Sequence, residues 1–175
     1  IFTNTLVDRI VSEPIEPAGA VAEPYALWAI QSRPGMKLPC RHPDIVVAPD
    51  IAEFERLKLF ILNLGHTFLT QRWVKAGLDG QMTVKVLLAR PEMREALERL
   101  YAEEVVPGFA LRGMRDAAET YVRQTIERFE NPFLEHRLSD IHQNHGEKIR
   151  RRIGGFLDWS GADAPTLRAM LRDVA

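Results

Sequence analysis

The run Leu57-Lys58-Leu59-Phe60-Ile61-Leu62-Asn63-Leu64-Gly65-His66-Thr67-Phe68-Leu69 constrains this chain more than any other stretch. A lysine, an asparagine and a histidine sit in a segment otherwise apolar enough to be buried on nearly every side. An unpartnered buried amide or hydroxyl costs roughly 1–3 kcal/mol, and a buried charge costs more. Three such groups in one apolar element call for compensation, and chemistry is the first candidate. Asp50-Ile51-Ala52-Glu53 resembles a capping box, no proline or glycine follows until Gly65, and Gly77 supplies a stop. The pattern predicts one long helix. On a regular helix Lys58, His66 and Asn63 fall at roughly 0°, 80° and 140°, within one sector and spread over about 12 Å. Gly65 lies among them, where a missing side chain lets another group approach closely.

The rest of the chain reads as mainly α. Ile1 to Val11 has the look of a strand end entering a polar turn, an odd opening that suggests a fragment of a longer protein. Ser12 to Ala22, with Pro14, Pro17 and Gly19, reads as a loop. Glu23-Pro24 would open a short helix through Tyr25, Leu27, Trp28 and Ile30, and residues 33–44 form a proline-bearing connector. Ile45-Val46-Val47 fits a short strand. Helices are predicted near 81–89, 91–106 (Pro91 in the first turn), 113–130, from Asn131-Pro132 to about Arg152, and from Pro165 to Arg172. Strands are too few for a sheet-based domain.

Composition narrows the function. A net charge of −1 argues against a nucleic-acid partner, and no apolar run is long enough to span a bilayer. A single cysteine, Cys40, excludes an intrachain disulfide and fits a reducing, cytoplasmic setting. Cys40-x-His42 with Asp44, and His142-x-x-His145 with His136, lack the spacing of a tight zinc site, so no metal is expected.

Four blocks carry a resemblance. Asn4-Thr5-Leu6-Val7-Asp8-Arg9-Ile10-Val11, Glu23-Pro24-Tyr25 with Trp28, Lys58 through Asn63 to His66, and Arg128-Phe129-Glu130-Asn131-Pro132-Phe133-Leu134 with His136, Ile141, Lys148 and Arg152 occur in this order. Together they resemble the polyol-specific long-chain dehydrogenases, the family of mannitol and mannitol-1-phosphate dehydrogenases and of fructuronate and tagaturonate reductases. The resemblance implies that residues 1–175 are the multi-helix, 6-phosphogluconate dehydrogenase-like C-terminal domain for substrate binding and catalysis. It further implies a partner Rossmann domain, absent here, that binds most of the NAD. No G-x-G-x-x-G occurs in this chain, so the fragment alone is expected to be inactive.

By the same resemblance the reaction interconverts a secondary alcohol and a ketone on an open-chain polyol or sugar acid, without metal. Lys58, read as sunk among Leu57, Leu59, Phe60 and Ile61, is the general base, because burial disfavours the charged amine. Asn63 and Asn4 resemble the paired amide donors around the reacting oxygen, and His66 the histidine on a neighbouring hydroxyl. Arg128 is assigned to a distal hydroxyl or carboxylate, against the alternative of a helix-end cation. Glu23 would orient the pocket by hydrogen bonding or cap a helix. The cluster Lys148, Arg150, Arg151 and Arg152 offers a hold for an anionic substrate end or a cofactor phosphate, but reads mainly as a solvated helix face. A uronate such as fructuronate or tagaturonate is favoured, with mannitol or mannitol 1-phosphate next. The reading from another class is a non-catalytic helical interaction module.

Overall fold

Hydrophobic residues recurring at helical spacing from Ile51 to Lys75 build the central rod of the protein. In the computed structural model, which describes residues 1–38 and 40–174, this rod runs unbroken through residues 52–75. Its middle, Lys58–Asn63, is wound as a π-turn, in which the Leu64 amide reaches back to the Leu59 carbonyl. The Asp50 carboxylate accepts from the Ala52 amide and tightens the entry to the helix. Counting helices that run on through a π-turn as one, seven helices are present among the described residues. The others are Val84–Leu88, residues 91–110, Arg115–Phe129, Leu138–His142, residues 145–160 and Pro165–Arg172. None is long and apolar enough to cross a membrane.

The core is helix on helix. Phe60, Ile61, Leu64, Phe68 and Leu69 of the rod pack with Leu97, Tyr101, Phe109, Ile153 and Phe156 in one continuous apolar cluster. A small sheet caps one end. Strands β1 (Thr5–Asp8), β4 (Leu27–Gln31) and β5 (Ile45–Ala48) stand in the order β1-β4-β5, antiparallel then parallel. Strands β2 (Val11–Ile15) and β3 (Gly19–Ala22) form a separate hairpin.

Three expectations are corrected here. Residues 12–22 are a hairpin and not a loop, because its outer edges are free and Pro14 withholds no ladder bond that an edge needs. Residues 25–31 are not a short helix: Leu27–Gln31 is the central strand of the sheet, where pairing on both sides overrides a spacing that fits either period. The stretch from 131 to 152 is not one helix. Residues 131–137 are non-helical, and the chain breaks again at Asn144, whose φ of 55° is left-handed. The strand at 45–47 and the helix from Pro165 to Arg172 stand as predicted. Within the 33–44 connector, Pro39 lies outside the described residues.

Candidate active site

The rod, residues 9–11 leading from β1 into β2, and residues on either side of Asn144 line an open cavity of about 370 Å³. Lys58, Asn63 and His66 line it from the rod, Arg9 and Ile10 from the turn after β1, and His136, Asp140, Lys148 and Arg152 from the far wall. The three polar residues of the opening run are thus brought together. Regular helical spacing already turns them to one sector, and the π-turn, which closes its hydrogen bond five residues on, brings Lys58 and Asn63, five apart, closer in angle than the roughly 140° of an α-helix.

Lys58 differs from its expected surroundings. Leu57, Phe60 and Ile61 point into the core, while Lys58 is only half-buried and its ammonium donates to the Val7 carbonyl of β1. The amine therefore stands at the cavity wall and not within the apolar core. Its candidacy as a base rests on position. The Asn63 side chain makes no hydrogen bond among the described residues, which leaves its amide free for a ligand, while its backbone carbonyl accepts from Arg152 at 3.1 Å.

His66 is buried, with Nε2 unpartnered inside the protein. It stacks on Phe129 with centroids 4.2 Å apart and meets His136 edge-on at 4.7 Å. Burial, then the neighbouring His136, Arg152, Arg128 and Lys148, holds its pKa well below the ordinary value. His136 is lowered too, by burial, although Asp140 opposes the shift. Both imidazoles are neutral at pH 7.

The charge of the cavity is one-sided. Arg9, Lys58, Lys148 and Arg152 face it, and Asp140 is the single carboxylate. Lys148 donates to the Ile141 carbonyl at 2.6 Å, and burial followed by Arg152 lowers its pKa. Lys148 and Arg152 are four apart on one helix, which turns them to the same side, while Arg150 pairs with Glu147 in solvent. The cluster read from the sequence as a solvated face is split between cavity and surface. Its i,i+4 spacing was the signal available; nothing in the local sequence pointed to Asp140 or Arg9.

Arg128, Glu23 and Asn4 go elsewhere. Arg128 is buried and fully committed: Nε and Nη2 donate to Glu23, Nη1 and Nη2 to Asp8, and its guanidinium lies 4.1 Å from the centre of the Tyr25 ring. Tyr121 donates to Asp8 and accepts the fifth guanidinium N–H, from Nη1 at 3.3 Å, within the same network. Burial lowers the Arg128 pKa, but the bonds to Asp8 and Glu23 outweigh it and the net direction is up. The assignment of Arg128 to substrate is corrected, because no donor is left over. Glu23 caps no helix; it accepts from Arg128 and from the Ile10 amide at 2.6 Å, and so fixes the strand end that carries Arg9. Asn4 is exposed at the start of β1, where it donates to Gln31 and does not line the cavity.

A profile of the mannitol dehydrogenase C-terminal domain matches residues 50–162, which spans the rod and the far wall of the cavity. The chain belongs to this family. Among relatives of this chain, the altronate oxidoreductase of Halalkalibacterium halodurans is 32% identical over 87% of this chain and 32% of its own length. An altronate oxidoreductase of Escherichia coli is 31% identical over 87% of this chain and 34% of its own. The chain spans about a third of the length of these relatives. The fold resembles that of Pseudomonas fluorescens mannitol 2-dehydrogenase, solved in a ternary complex with NAD and D-mannitol (TM-score 0.65, 17% identity, 88% of this chain and 35% of that one). It also resembles a substrate-free D-sorbitol dehydrogenase (TM-score 0.62, 21% identity, 85% and 33%).

Proposed function

We propose that this chain is the substrate-binding and catalytic domain of an NAD-dependent oxidoreductase. It would interconvert a secondary alcohol and a ketone on an open-chain sugar acid of the altronate, tagaturonate or fructuronate kind. The observation that carries this reading is the convergence of Lys58, Asn63 and His66 on one cavity whose other charges are mostly cationic. The relatives named for altronate, a polyhydroxy carboxylate, support an anionic substrate over a neutral polyol.

The chain has no glycine-rich strand-to-helix turn, so dinucleotide binding falls to a Rossmann domain of the same protein. NAD supplies the hydride acceptor. This chain handles the proton and the orientation. Lys58, as the free amine, accepts the proton of the reacting hydroxyl, and the Val7 carbonyl then receives a hydrogen bond from the ammonium. The Asn63 amide donates to the oxygen as it gains negative charge, a contribution of about 3 kcal/mol where such a donor is preorganised. His66, neutral, hydrogen-bonds an adjacent hydroxyl. Lys148 and Arg152 hold the carboxylate, since charged donors bind such a group more strongly than neutral ones.

The test is a panel assay of the full-length protein with NADH against fructuronate, tagaturonate, fructose and fructose 6-phosphate. Preference for a uronate is expected; preference for fructose would move the protein to the mannitol branch. Lys58→Ala is expected to lower turnover by orders of magnitude. Undiminished turnover would instead favour a helical interaction module.

A further inference from the structure

The π-turn at Lys58–Asn63 is held from outside at two carbonyls. The Tyr101 hydroxyl, fully buried, donates to the Ile61 carbonyl at 3.0 Å. It reaches that atom because residue 65 is glycine: a Cβ there would lie 2.0 Å from the Tyr101 oxygen. Two residues on, Arg152 donates to the Asn63 carbonyl at 3.1 Å and to the Thr67 hydroxyl at 3.0 Å. Tyr101 and Arg152 themselves belong to π-turns, Tyr101–Val105 and Arg150–Gly154, and both turns pack against the first.

A π-turn in a buried helix is less well bonded than the α-helix it interrupts, so it persists where other groups satisfy its backbone. Were residues 58–63 to rewind as α-helix, Asn63 would move outward to about 140° from Lys58, the far edge of the sector they share. The two groups assigned to the reacting oxygen would then diverge.

We propose that Tyr101 is a positioning residue: by holding the Ile61 carbonyl through the gap at Gly65, it keeps the π-turn wound so that the Asn63 amide and the Lys58 amine address one substrate atom. This rests on the assignment of Asn63 and Lys58 to the reacting oxygen. Tyr101 touches no part of the cavity, and its hydroxyl has no other partner among the described residues.

Tyr101→Phe tests it, since the ring stays and one oxygen is lost. In the full-length protein with NAD(H) and the preferred substrate of the panel, kcat should fall on the order of 10- to 100-fold, as expected for displaced catalytic groups. KM should change by less than about threefold. In an Asn63→Ala background the same substitution should cost under about threefold, because the group it positions is already gone. Hydrogen exchange at the amides of residues 64–66 should quicken in the variant.

A purely structural tyrosine would lower the unfolding midpoint, leave kcat intact below it, and add its full effect to Asn63→Ala. Wild-type kcat, full additivity or unchanged exchange would each overturn the proposal. Failure of the base assignment looks different. Lys58→Ala would then retain turnover while the coupling between Tyr101 and Asn63 remained measurable.

Discussion

Arg128 closes a fork on Asp8, 120 residues earlier in the chain, with Nη2–Oδ1 at 2.8 Å and Nη1–Oδ2 at 3.2 Å. The pair, with Glu23 on the other side of the guanidinium, ties the sheet to the Arg115–Phe129 helix inside the protein. Removing one partner leaves an uncompensated buried charge, which costs about 3–5 kcal/mol. Arg128→Met should therefore lower stability by that amount in urea denaturation. A loss confined to KM, with the denaturation midpoint unmoved, would restore Arg128 to the substrate.

The cationic wall predicts a selective loss. Lys148→Gln removes one charged donor from the cavity and keeps a polar side chain of similar reach. A hydrogen bond to a charged group contributes about 1.5–3 kcal/mol, so KM for a uronate should rise roughly 10- to 150-fold. KM for fructose should barely move. Equal losses on both substrates in steady-state assays would mean that Lys148 does not read charge.

Gly65 has no room for a side chain. Gly65→Ala places a methyl 2.0 Å from the Tyr101 oxygen and 3.2 Å from a Phe129 ring carbon. Overpacking of this kind costs about 1–3 kcal/mol or more. The expected result is a lower thermal midpoint together with reduced kcat. Adding Tyr101→Phe should recover part of the stability and none of the kcat. Were the double variant no more stable than Gly65→Ala alone, the clash would lie elsewhere.

Stability should depend on pH through the histidines. Burial, then His142, Lys148 and Arg152, pulls the His145 imidazole down to about 4, and His66 and His136 are lowered as well. An unfolded histidine titrates near roughly 6.5. Below that pH the unfolded chain binds protons that the folded chain does not, so stability present above it falls as pH drops towards 4. Urea midpoints at pH 7.5, 5.5 and 4.5 should decline in the wild type and decline less steeply in His145→Gln. Parallel curves would remove His145 from the account.

The helical frame was legible because its signals are local. Pro91 and Pro165 mark helix starts, and the Asp50 carboxylate sits where the rod begins. The sheet was not. Pro14, Pro17 and Gly19 are turn formers in isolation, and only pairing with Gly19–Ala22 makes Val11–Ile15 a strand. At the site, Lys58, Asn63 and His66 were found because polar residues in an apolar run are conspicuous. Their common sector followed from 3.6 residues per turn, but the π-turn that draws Asn63 towards Lys58 was not legible, since the group bonded to it, Tyr101, is distant in sequence. Arg128 misled for a related reason. A helix-end arginine looks free until the two carboxylates that claim it are known, one at the end of β1 and one just after the hairpin.

The anchor of Lys58 is main chain: it is the carbonyl of Val7, whose own side chain is 58% exposed. Position 7 can thus drift among residue types without disturbing what the ammonium rests on. Only a slip of the whole strand against its neighbour would carry that oxygen away, and the pairing of Val7 with Trp28 stands in the path of such a slip.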